Sequence, residues 1–283
     1  MRIFLAGATG VIGRRLLPLL LAQGHQVTGT SRTFEGAARV TAAGATGIRL
    51  DMFDRAAVTE ALAAAAPDAV IHQLTALAAG SSADNARIRA DGTRNLVDAS
   101  RTAGVGRMIA QSIAWAYQAG DTSADESTPL DLTADEPRAT TVLGVQALEN
   151  AVAETPDHVV LRYGTLYGPG TWYAPNALMS TRLRAGELAA NDAVSSFLHI
   201  EDAARTALLA LDWPSGTINI VDDEPAPAHA WVPVFAHALG APAPARSTGR
   251  AGWERGARNA KARALGWAPR HPSWRDGFQT GPE

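Results

Sequence analysis

The sequence contains no cysteine and only one lysine, Lys261. The absence of cysteine excludes disulfides, thiolate nucleophiles and thiolate metal sites, and it fits a reducing compartment. The apolar stretch from Leu16 to Leu21 is far shorter than the roughly 20 residues that a membrane span needs. Because this stretch follows a strand pattern and not a basic leader, we expect a cytoplasmic protein.

The sequence also lacks an excess of basic residues. It has 25 Lys and Arg against 28 Asp and Glu, with a formal net charge of -3, so we expect neither nucleic acid nor a membrane as a partner. No set of histidines and carboxylates has metal-ligand spacing, and no metal site is expected. The 283 residues, of which 46% are hydrophobic, can bury a large core.

The first thirteen residues carry the main motif. An apolar run from Arg2 to Ala6 is followed by glycines and then by a leucine-rich helical stripe from Val11 to Gln23. Glycines at this spacing permit a tight strand-to-helix turn and a close approach of a pyrophosphate, which the helix N-terminus attracts. The motif predicts a dinucleotide site that contains Gly7, Thr9, Gly10, Val11, Ile12 and Gly13.

The end of the second predicted strand, Gln26 to Thr30, indicates which dinucleotide binds. An NAD site usually has an acid here for the ribose hydroxyls, whereas an NADP site uses arginine for the 2′-phosphate. The chain has Ser31 and Arg32 and no acid, so we predict NADP(H) with these two residues at its phosphate. Arg14 or Arg15 could supply a second cation, unless both are ordinary surface arginines.

Short apolar strands continue to alternate with helical stretches. Strands are predicted at Ile48 to Asp51, Ala69 to Gln73 and Arg107 to Gln111, and helices from Asp54 to Ala66 and from Asn85 to Ala103. This alternation predicts an α/β fold with a doubly wound parallel sheet of the Rossmann type.

The carboxyl ends of these strands supply further candidates, because ligands bind at that edge of such a sheet. Asp51, which precedes Met52, is predicted to accept a hydrogen bond from the adenine amino group, with a simple turn aspartate as the alternative. His72 follows apolar residues on a strand and is expected to be a satisfied core histidine. The loop after the fourth strand, predicted to face the cofactor, is Leu74, Thr75 and Ala76.

Five segments, in this order, resemble the extended short-chain dehydrogenases/reductases, the NAD(P)-dependent epimerase/dehydratase group. They are GATGVIG at 7–13, DGTRNLVDASRTAGVGRMI at 91–109, LRYGTLYGPG at 161–170, HIEDAARTALLAL at 199–211 and NAKARALGWAPRHPSW at 259–274. The resemblance implies a dinucleotide-binding domain of residues 1–165 and 199–221 and a smaller substrate-binding region of residues 166–198 and 222–283. Extended members often dimerise, so a homodimer is also an expectation.

The resemblance further implies a Tyr-x-x-x-Lys pair, in which the tyrosine moves the proton and the lysine holds the ribose and lowers the tyrosine pKa. The predicted helix Ala139 to Ala153 should carry the pair, because Glu149 matches a glutamate that often follows the lysine by four residues. Counting back places Val145 at the lysine position and Thr141 at the tyrosine position. Thr141 is a much weaker acid than a phenol, but it remains a candidate for hydrogen bonding to substrate or ribose.

Four other residues gain a role from the resemblance. Ser112, at the end of the fifth strand, matches the family serine, with capping of the next turn as the alternative. Tyr163 lies where the backbone would meet the nicotinamide. His199 and Asp202 match a stretch in which they tie a helix to the sheet, so a structural role is expected over acid catalysis.

Aromatic residues make up only 6% of the chain, yet several occur in loops at the predicted substrate edge. Such residues favour a flat apolar substrate, and packing beneath a lid is the alternative. The candidates are Trp115, Tyr117, Tyr167, Trp172 and Tyr173.

Three functions are compatible with this sequence. The first, which we expect, is an NADPH-dependent ketoreductase for an aromatic, polyketide-like ketone that polarises its own carbonyl, since orientation can replace much of the missing acid catalysis. The second is sugar-nucleotide epimerisation or dehydration, which begins with oxidation of an alcohol and needs the missing base. The third is a non-catalytic regulator that binds NADP(H).

Overall fold

The structure is a computed structural model that describes residues 1–77 and 81–278. The strands are β1 (Arg2–Ala6), β2 (Gln26–Ser31), β3 (Thr46–Arg49), β4 (Ala69–His72), β5 (Arg107–Ile113), β6 (Asp157–Tyr163), β7 (Thr165–Tyr167), β8 (Val194–Ser195), β9 (Phe197–His199), β10 (Gly216–Ile220) and β11 (Ala226–Pro227). Seven of them form one sheet in the order β10-β6-β5-β4-β1-β2-β3. The pairs β1–β2, β1–β4, β2–β3 and β4–β5 are parallel, and the predicted doubly wound α/β fold is confirmed.

The helices follow the strands as the alternation predicts. They are α1 (Gly13–Ala22), α2 (Phe34–Ala42), α3 (Arg55–Ala65), α4 (Ser82–Arg87), α5 (Thr93–Thr102), α6 (Arg138–Val152), α7 (Leu178–Arg184), α8 (Ile200–Leu209), α9 (Ala228–Ala238), α10 (Ala260–Ala264) and α11 (Trp274–Gly277). A π-helical segment, Ile88–Gly92, joins α4 to α5. Within the described ranges, no helix combines the length and the apolar character of a membrane span.

Capping side chains set several helix starts. The Asp54 carboxylate accepts a hydrogen bond from the Ala57 amide at 3.0 Å and begins α3, as the sequence predicts. Thr33 accepts one from the Gly36 amide at 3.0 Å and begins α2, a helix that the sequence analysis does not predict.

Two predicted elements differ from the structure. Strand β3 covers Thr46–Arg49 and not Ile48 to Asp51, because its pairing with β2 begins at Thr46. The predicted helix from Asn85 to Ala103 starts earlier and is interrupted by the π-helical segment.

The chain divides into two compact units. Unit 1 comprises Met1–Ser112, Leu132–Leu161 and Ala204–Thr217, and unit 2 comprises Ile113–Asp131, Arg162–Ala203 and Ile218–Glu283. The division differs from the predicted domain boundaries chiefly in residues 113–131. Tyr117 and Ala124 of this segment are buried against Val221 and Ala257 of unit 2, which explains the difference. The functional assignment of each unit remains a prediction.

The two units have different cores. In unit 1, strand and helix residues form a mainly aliphatic cluster that includes Phe4, Val70, Met108, Val160, Leu62, Leu96 and Leu148. The main cluster of unit 2 is rich in aromatic residues and includes Tyr167, Phe197, Trp231, Phe235 and Trp274. Several of these rings meet edge to face, as aromatic quadrupoles favour.

Candidate active site

The glycine turn between β1 and α1 has the geometry that a dinucleotide requires. Gly7 has φ +88°, and a Cβ there would lie 2.7 Å from the backbone oxygen of Gln73. A Cβ at Gly13 would lie 2.1 Å from the Gly7 oxygen, so both positions demand glycine. Ile12 caps α1 without a side-chain hydrogen bond. The Arg14 amide already donates to the Gly10 backbone oxygen at 3.0 Å, whereas the Gly13 amide has no hydrogen-bond partner among the described residues and remains available to a phosphate oxygen.

The end of β2 completes the polar wall beside this turn. The Thr30 hydroxyl accepts a hydrogen bond from the Gly7 amide at 3.1 Å, and the Thr9 and Ser31 hydroxyls lie 3.4 Å apart. Arg32 is exposed, and its guanidinium has no hydrogen-bond or ion-pair partner among residues 1–77 and 81–278. These residues fit a dinucleotide whose phosphates meet backbone amides and one free cation.

Arg14 and Arg15, the two candidates for a second cation at the phosphates, differ in their contacts. Arg15 donates a hydrogen bond to the backbone oxygen of Val11 at 3.0 Å, whereas Arg14 is exposed. If either contacts a phosphate, Arg14 is the better placed because its guanidinium is not bound to its own helix.

The adenine-side candidates occupy a tight turn after β3. The Asp51 carboxylate accepts a hydrogen bond from the Phe53 amide at 3.0 Å, as the turn alternative requires, and Met52 is buried. A contact of Asp51 with adenine therefore stays a prediction.

Two buried polar side chains at the end of β4, His72 and Gln73, differ in whether they have a hydrogen-bond partner among the described residues. His72 is confirmed as a core histidine, since its Nε2 lies 2.8 Å from the Thr93 hydroxyl and burial lowers its pKa to about 4. The neighbouring Gln73 is buried, and neither atom of its side-chain amide has a hydrogen-bond partner among the described residues. An orphaned amide beside the glycine turn is a second observation that fits a bound polar ligand.

The predicted cofactor loop continues from Gln73. The Leu74 amide donates a hydrogen bond to Nδ1 of His72 at 3.3 Å, and the Ala76 amide donates one to the Asn85 side chain at 3.0 Å. Thr75 between them is exposed, and the contacts of this loop with the cofactor remain predictions.

Helix α6 carries the residues expected at the proton-transfer positions. It contains neither tyrosine nor lysine; Val145 is fully buried and Thr141 is half-buried. The buried Ser112 hydroxyl donates a hydrogen bond to Oε1 of Glu149 at 2.6 Å. Ser112 therefore binds a carboxylate, and its hydrogen is committed to that bond.

Arg89 lies on the π-helical segment and faces α6. Its side chain is 4% exposed. Burial lowers the pKa of its guanidinium to about 10, and the Glu149 carboxylate opposes that shift. Unit 1 thus contains a buried cation that the sequence analysis did not single out.

In unit 2, the predicted substrate-binding tyrosines are packed inside. Tyr117 donates a hydrogen bond to Oδ1 of Asn219 at 2.5 Å and accepts one from Arg162 at 3.0 Å, and burial raises its pKa. Tyr167 is fully buried, and Tyr173 stacks on Phe278 with the ring centroids 6.0 Å apart. These positions favour the packing alternative for the three tyrosines.

Tyr163 is also buried. Its hydroxyl donates a hydrogen bond to the backbone oxygen of Ala203 at 3.1 Å, and its own backbone oxygen accepts one from the Ala114 amide at 2.8 Å. A backbone contact of Tyr163 with the nicotinamide stays a prediction.

The two predicted tryptophans are exposed, by 39% for Trp115 and 41% for Trp172. Trp115 lines a cavity of about 190 Å³ within unit 2, together with Trp253 and Glu254. The remaining lining residues are Ala114, Thr165, Ala193, Val194, Ser195, Ser196 and Gly256. Glu254 supplies the one charged side chain of this described lining, and its Oε2 accepts a hydrogen bond from the Ala251 amide at 2.7 Å.

Comparison with known proteins identifies the family. Residues 3–220 match the model of the NAD dependent epimerase/dehydratase family. The chain belongs to this family. A curated relative, the 3-diazoavenalumate denitrifying reductase of a Streptomyces species, is 44% identical over 305 aligned positions that cover 98% of this chain and 99% of the relative.

Solved structures agree with the fold of the epimerase/dehydratase family. The Bordetella bronchiseptica enzyme WbmG in complex with NAD and UDP has a TM-score of 0.78 at 23% identity, covering 98% of this chain and 92% of its own. The Thermus thermophilus UDP-glucose 4-epimerase in complex with NAD also has a TM-score of 0.78 at 23% identity, covering 99% and 97%. These identities support the shared fold alone.

As a member of the epimerase/dehydratase family, the chain is an NAD(P)-dependent oxidoreductase. The glycine turn, the uncapped start of α1 and the orphaned Gln73 amide are the local features that fit the dinucleotide. The preference for NADP(H) remains a prediction that rests on Arg32.

The family segment around β9 and α8 has the expected structural contacts. Both carboxylate oxygens of the buried Asp202 accept hydrogen bonds at 2.9 Å from the Arg270 and His271 amides. The donor atoms of His199, Glu201 and His271 all lie within 4.8 Å of one another. A metal ion could bridge such a group. The sequence predicts no metal site, because no histidines and carboxylates have metal-ligand spacing along the chain.

Four residues of interest in the structure are not among those that the sequence pattern predicts. The sequence gives one indication that Arg89 is buried, because this residue lies on the inward face of its helical run with Ile88, Thr93 and Leu96. It gives none for Gln73, Trp253 and Glu254, because their surroundings depend on tertiary packing.

Proposed function

We propose that the protein is an NADPH-dependent reductase that removes the nitrogen of an aromatic diazo compound, bound in its diazonium form. The carrying observation is that α6 offers Thr141 and Val145 where proton transfer would be expected. The name of the 44% identical relative, a denitrifying reductase of a diazo compound, supports the same reaction class.

The chemistry of a diazonium group removes the need for a protein acid. When bound, the reduced nicotinamide supplies a hydride. Addition of that hydride to the outer nitrogen converts ArN₂⁺ into the diazene ArN=NH, which loses N₂ while its hydrogen ends on the ring carbon. The sum, ArN₂⁺ and NADPH giving ArH, N₂ and NADP⁺, balances without any added proton.

The cavity of unit 2 supports a flat substrate of this charge. A cavity of about 150 Å³ is known to hold benzene, so about 190 Å³ accommodates one substituted ring. Trp115, Trp253 and Glu254 all line this cavity, and aromatic rings and a carboxylate are the groups that attract an organic cation. The described lining contains no Lys or Arg, which disfavours the diphosphate of a nucleotide sugar.

Reduction of an aromatic, polyketide-like carbonyl is the second candidate. The same two tryptophans would receive a flat ketone. This reaction must still find a proton, however, and the Ser112 hydroxyl already donates to Glu149. A substrate phenol would have to supply it, so we rank ketone reduction below diazonium reduction.

The test is a stoichiometry measurement with purified protein and NADPH. A ¹⁵N-labelled aryl diazonium, an aromatic ortho-hydroxy ketone and a UDP-sugar are offered separately, and NADPH oxidation and ¹⁵N₂ release are followed together. We expect one N₂ for each NADPH oxidised with the diazonium. Because NADPH and diazonium salts also react slowly without protein, the buffer rate is subtracted.

Other outcomes separate the alternatives. Alcohol formation from the ketone without N₂ release would favour the second candidate, and turnover of the UDP-sugar would favour an epimerase or dehydratase. Tight NADPH binding without turnover of any of the three would indicate a regulator and contradict the proposal.

A further inference from the structure

Arg89 is a buried cation that makes no hydrogen bond with any described side chain. It lies on the π-helical segment Ile88–Gly92, its side chain is 4% exposed, and its guanidinium has no hydrogen-bond or ion-pair partner in the described part of the chain. The Glu149 carboxylate interacts with this charge electrostatically, but a buried charge whose hydrogen-bond donors are unpaired is destabilising. π-helical segments also occur frequently at functional sites. Both features suggest that a ligand supplies the missing partner.

Two contacts fix where Arg89 lies against α6. A Cβ at Gly144 would lie 2.9 Å from the Cα of Ala86, and Nη1 of Arg94 lies 2.6 Å from Oε1 of Glu154. Residue numbers rise in the same direction along both helical runs, from the first contact to the second. Arg89, which lies between Ala86 and Arg94, is therefore opposite the stretch between Gly144 and Glu154. That stretch contains Val145 and Glu149, and Val145 occupies the position at which the family resemblance implies a lysine.

Further contacts connect Arg89 to the wall of the dinucleotide site. Thr93, one helical turn after Arg89, lies 2.8 Å from Nε2 of His72. His72 precedes Gln73, whose backbone oxygen closely faces Gly7 of the glycine turn. The Arg89 charge also contributes to the lowered pKa of His72. Arg89 is therefore next to the strand end that borders the cofactor.

We propose that the Arg89 guanidinium binds the ribose hydroxyls of the nicotinamide half of the dinucleotide, replacing the lysine of other family members. A guanidinium presents parallel N–H donors in a fixed plane, which suits two neighbouring hydroxyl oxygens. The chain's one lysine, Lys261, lies outside unit 1. The inference requires the dinucleotide of the family and does not depend on the diazonium substrate.

The test measures equilibrium dissociation constants for NADPH, NADH and adenosine 2′,5′-bisphosphate, which lacks the nicotinamide and its ribose. We expect Arg89→Met to weaken binding of NADPH and of NADH by about 10- to 100-fold and to leave the adenosine fragment unchanged. Arg89→Lys should restore part of the loss. Arg101→Met is the matched control, because Arg101 is exposed and pairs with Asp98 at 3.2 Å.

The melting temperature of the protein without nucleotide supplies a second readout. Since the burial cost of the Arg89 charge outweighs its interaction with Glu149, Arg89→Met should melt no lower than the unchanged chain. Unchanged NADPH binding in this variant, or an equal loss for the adenosine fragment, would overturn the proposal. A lowered melting temperature would also overturn it by indicating a structural role. If Arg89→Met does not fold, Arg89→Ala takes its place. A folded Arg89→Ala variant that binds NADPH as tightly as the unchanged chain would also overturn the proposal.

Discussion

The two units differ in the charge of the side chains at their candidate sites. In unit 1, Arg32 and Arg89 are cations without a hydrogen-bond partner among the described residues, and the glycine turn adds a free backbone amide. In unit 2, the described cavity lining has one charged side chain, Glu254, and two aromatic residues, Trp115 and Trp253. This difference is the basis for proposing an anionic dinucleotide in unit 1 and a neutral or positively charged ring in unit 2.

The largest effect is expected from closing the anion site. Gly13→Ala places a Cβ 2.1 Å from the Gly7 backbone oxygen, so the turn must open and NADPH binding should be lost. Calorimetric titration measures the loss. Gly106→Ala is the control, since a Cβ there meets nothing within 4 Å; equal NADPH binding by the two variants would contradict the assigned role of the turn.

The next largest effect is expected from protonation of His72, which places a second positive charge near Arg89. Burial lowers the His72 pKa from 6.5 to about 4. The unfolded chain therefore binds this proton at a higher pH than the folded chain does. The contribution of neutral His72 to the free energy of unfolding is therefore complete above pH 6.5. It falls by about 3 kcal/mol as the pH is lowered towards 4.

Urea unfolding between pH 4 and pH 7 checks this prediction. The free energy of unfolding of the unchanged chain should fall more steeply with acid than that of His72→Asn. Parallel curves for the two proteins would show that His72 is not held neutral. They would also argue against a water-excluded environment around His72 and Arg89.

A smaller effect tests the charge of the cavity in unit 2. Glu254→Gln should weaken binding of 4-hydroxyphenyltrimethylammonium by about 10-fold or more and leave the neutral isostere 4-tert-butylphenol unchanged. Fluorescence titration of the tryptophans gives both affinities. Glu187→Gln is the control, because Glu187 pairs with Arg182 on the surface at 3.3 Å; equal loss for both ligands would refute recognition of a cation.

The smallest effect separates the two dinucleotides. Arg32→Gln should weaken NADPH binding by about 10-fold with no change for NADH, because only NADPH carries the 2′-phosphate. Arg14→Gln, which changes another exposed arginine of unit 1, measures the second cation. A preference of the unchanged chain for NADH would remove the basis for predicting NADP(H).

The fold and the dinucleotide turn could be predicted because they depend on local pattern. Strand β1 ends at Ala6, as its apolar run indicates, and the glycines follow within seven residues. The end of β3 was less predictable, because pairing with β2 decides it. The π-helical segment gave no sequence signal that distinguishes it from α-helix.

The catalytic and substrate residues depend on contacts between distant segments. Trp115 and Glu254 line one cavity although more than a hundred residues separate them. The hydroxyls of Tyr117 and Tyr167 find partners at Asn219 and Ser273, and aromatic residues alone do not reveal whether they bind substrate or fill a core. Arg89 could be noticed on an inward helical stripe, but its missing partner is visible only after folding.

Isotope effects on a single turnover test most directly the claim that hydride transfer proceeds without a protein acid. Protein loaded with NADPH, or with NADPH deuterated at C4, is mixed with the aryl diazonium in H₂O and in D₂O, and oxidation of the nicotinamide is followed. We predict a primary isotope effect from the C4 deuterium and a solvent isotope effect close to unity. A normal solvent isotope effect on the same step would show that a proton moves with the hydride, and would contradict the proposal.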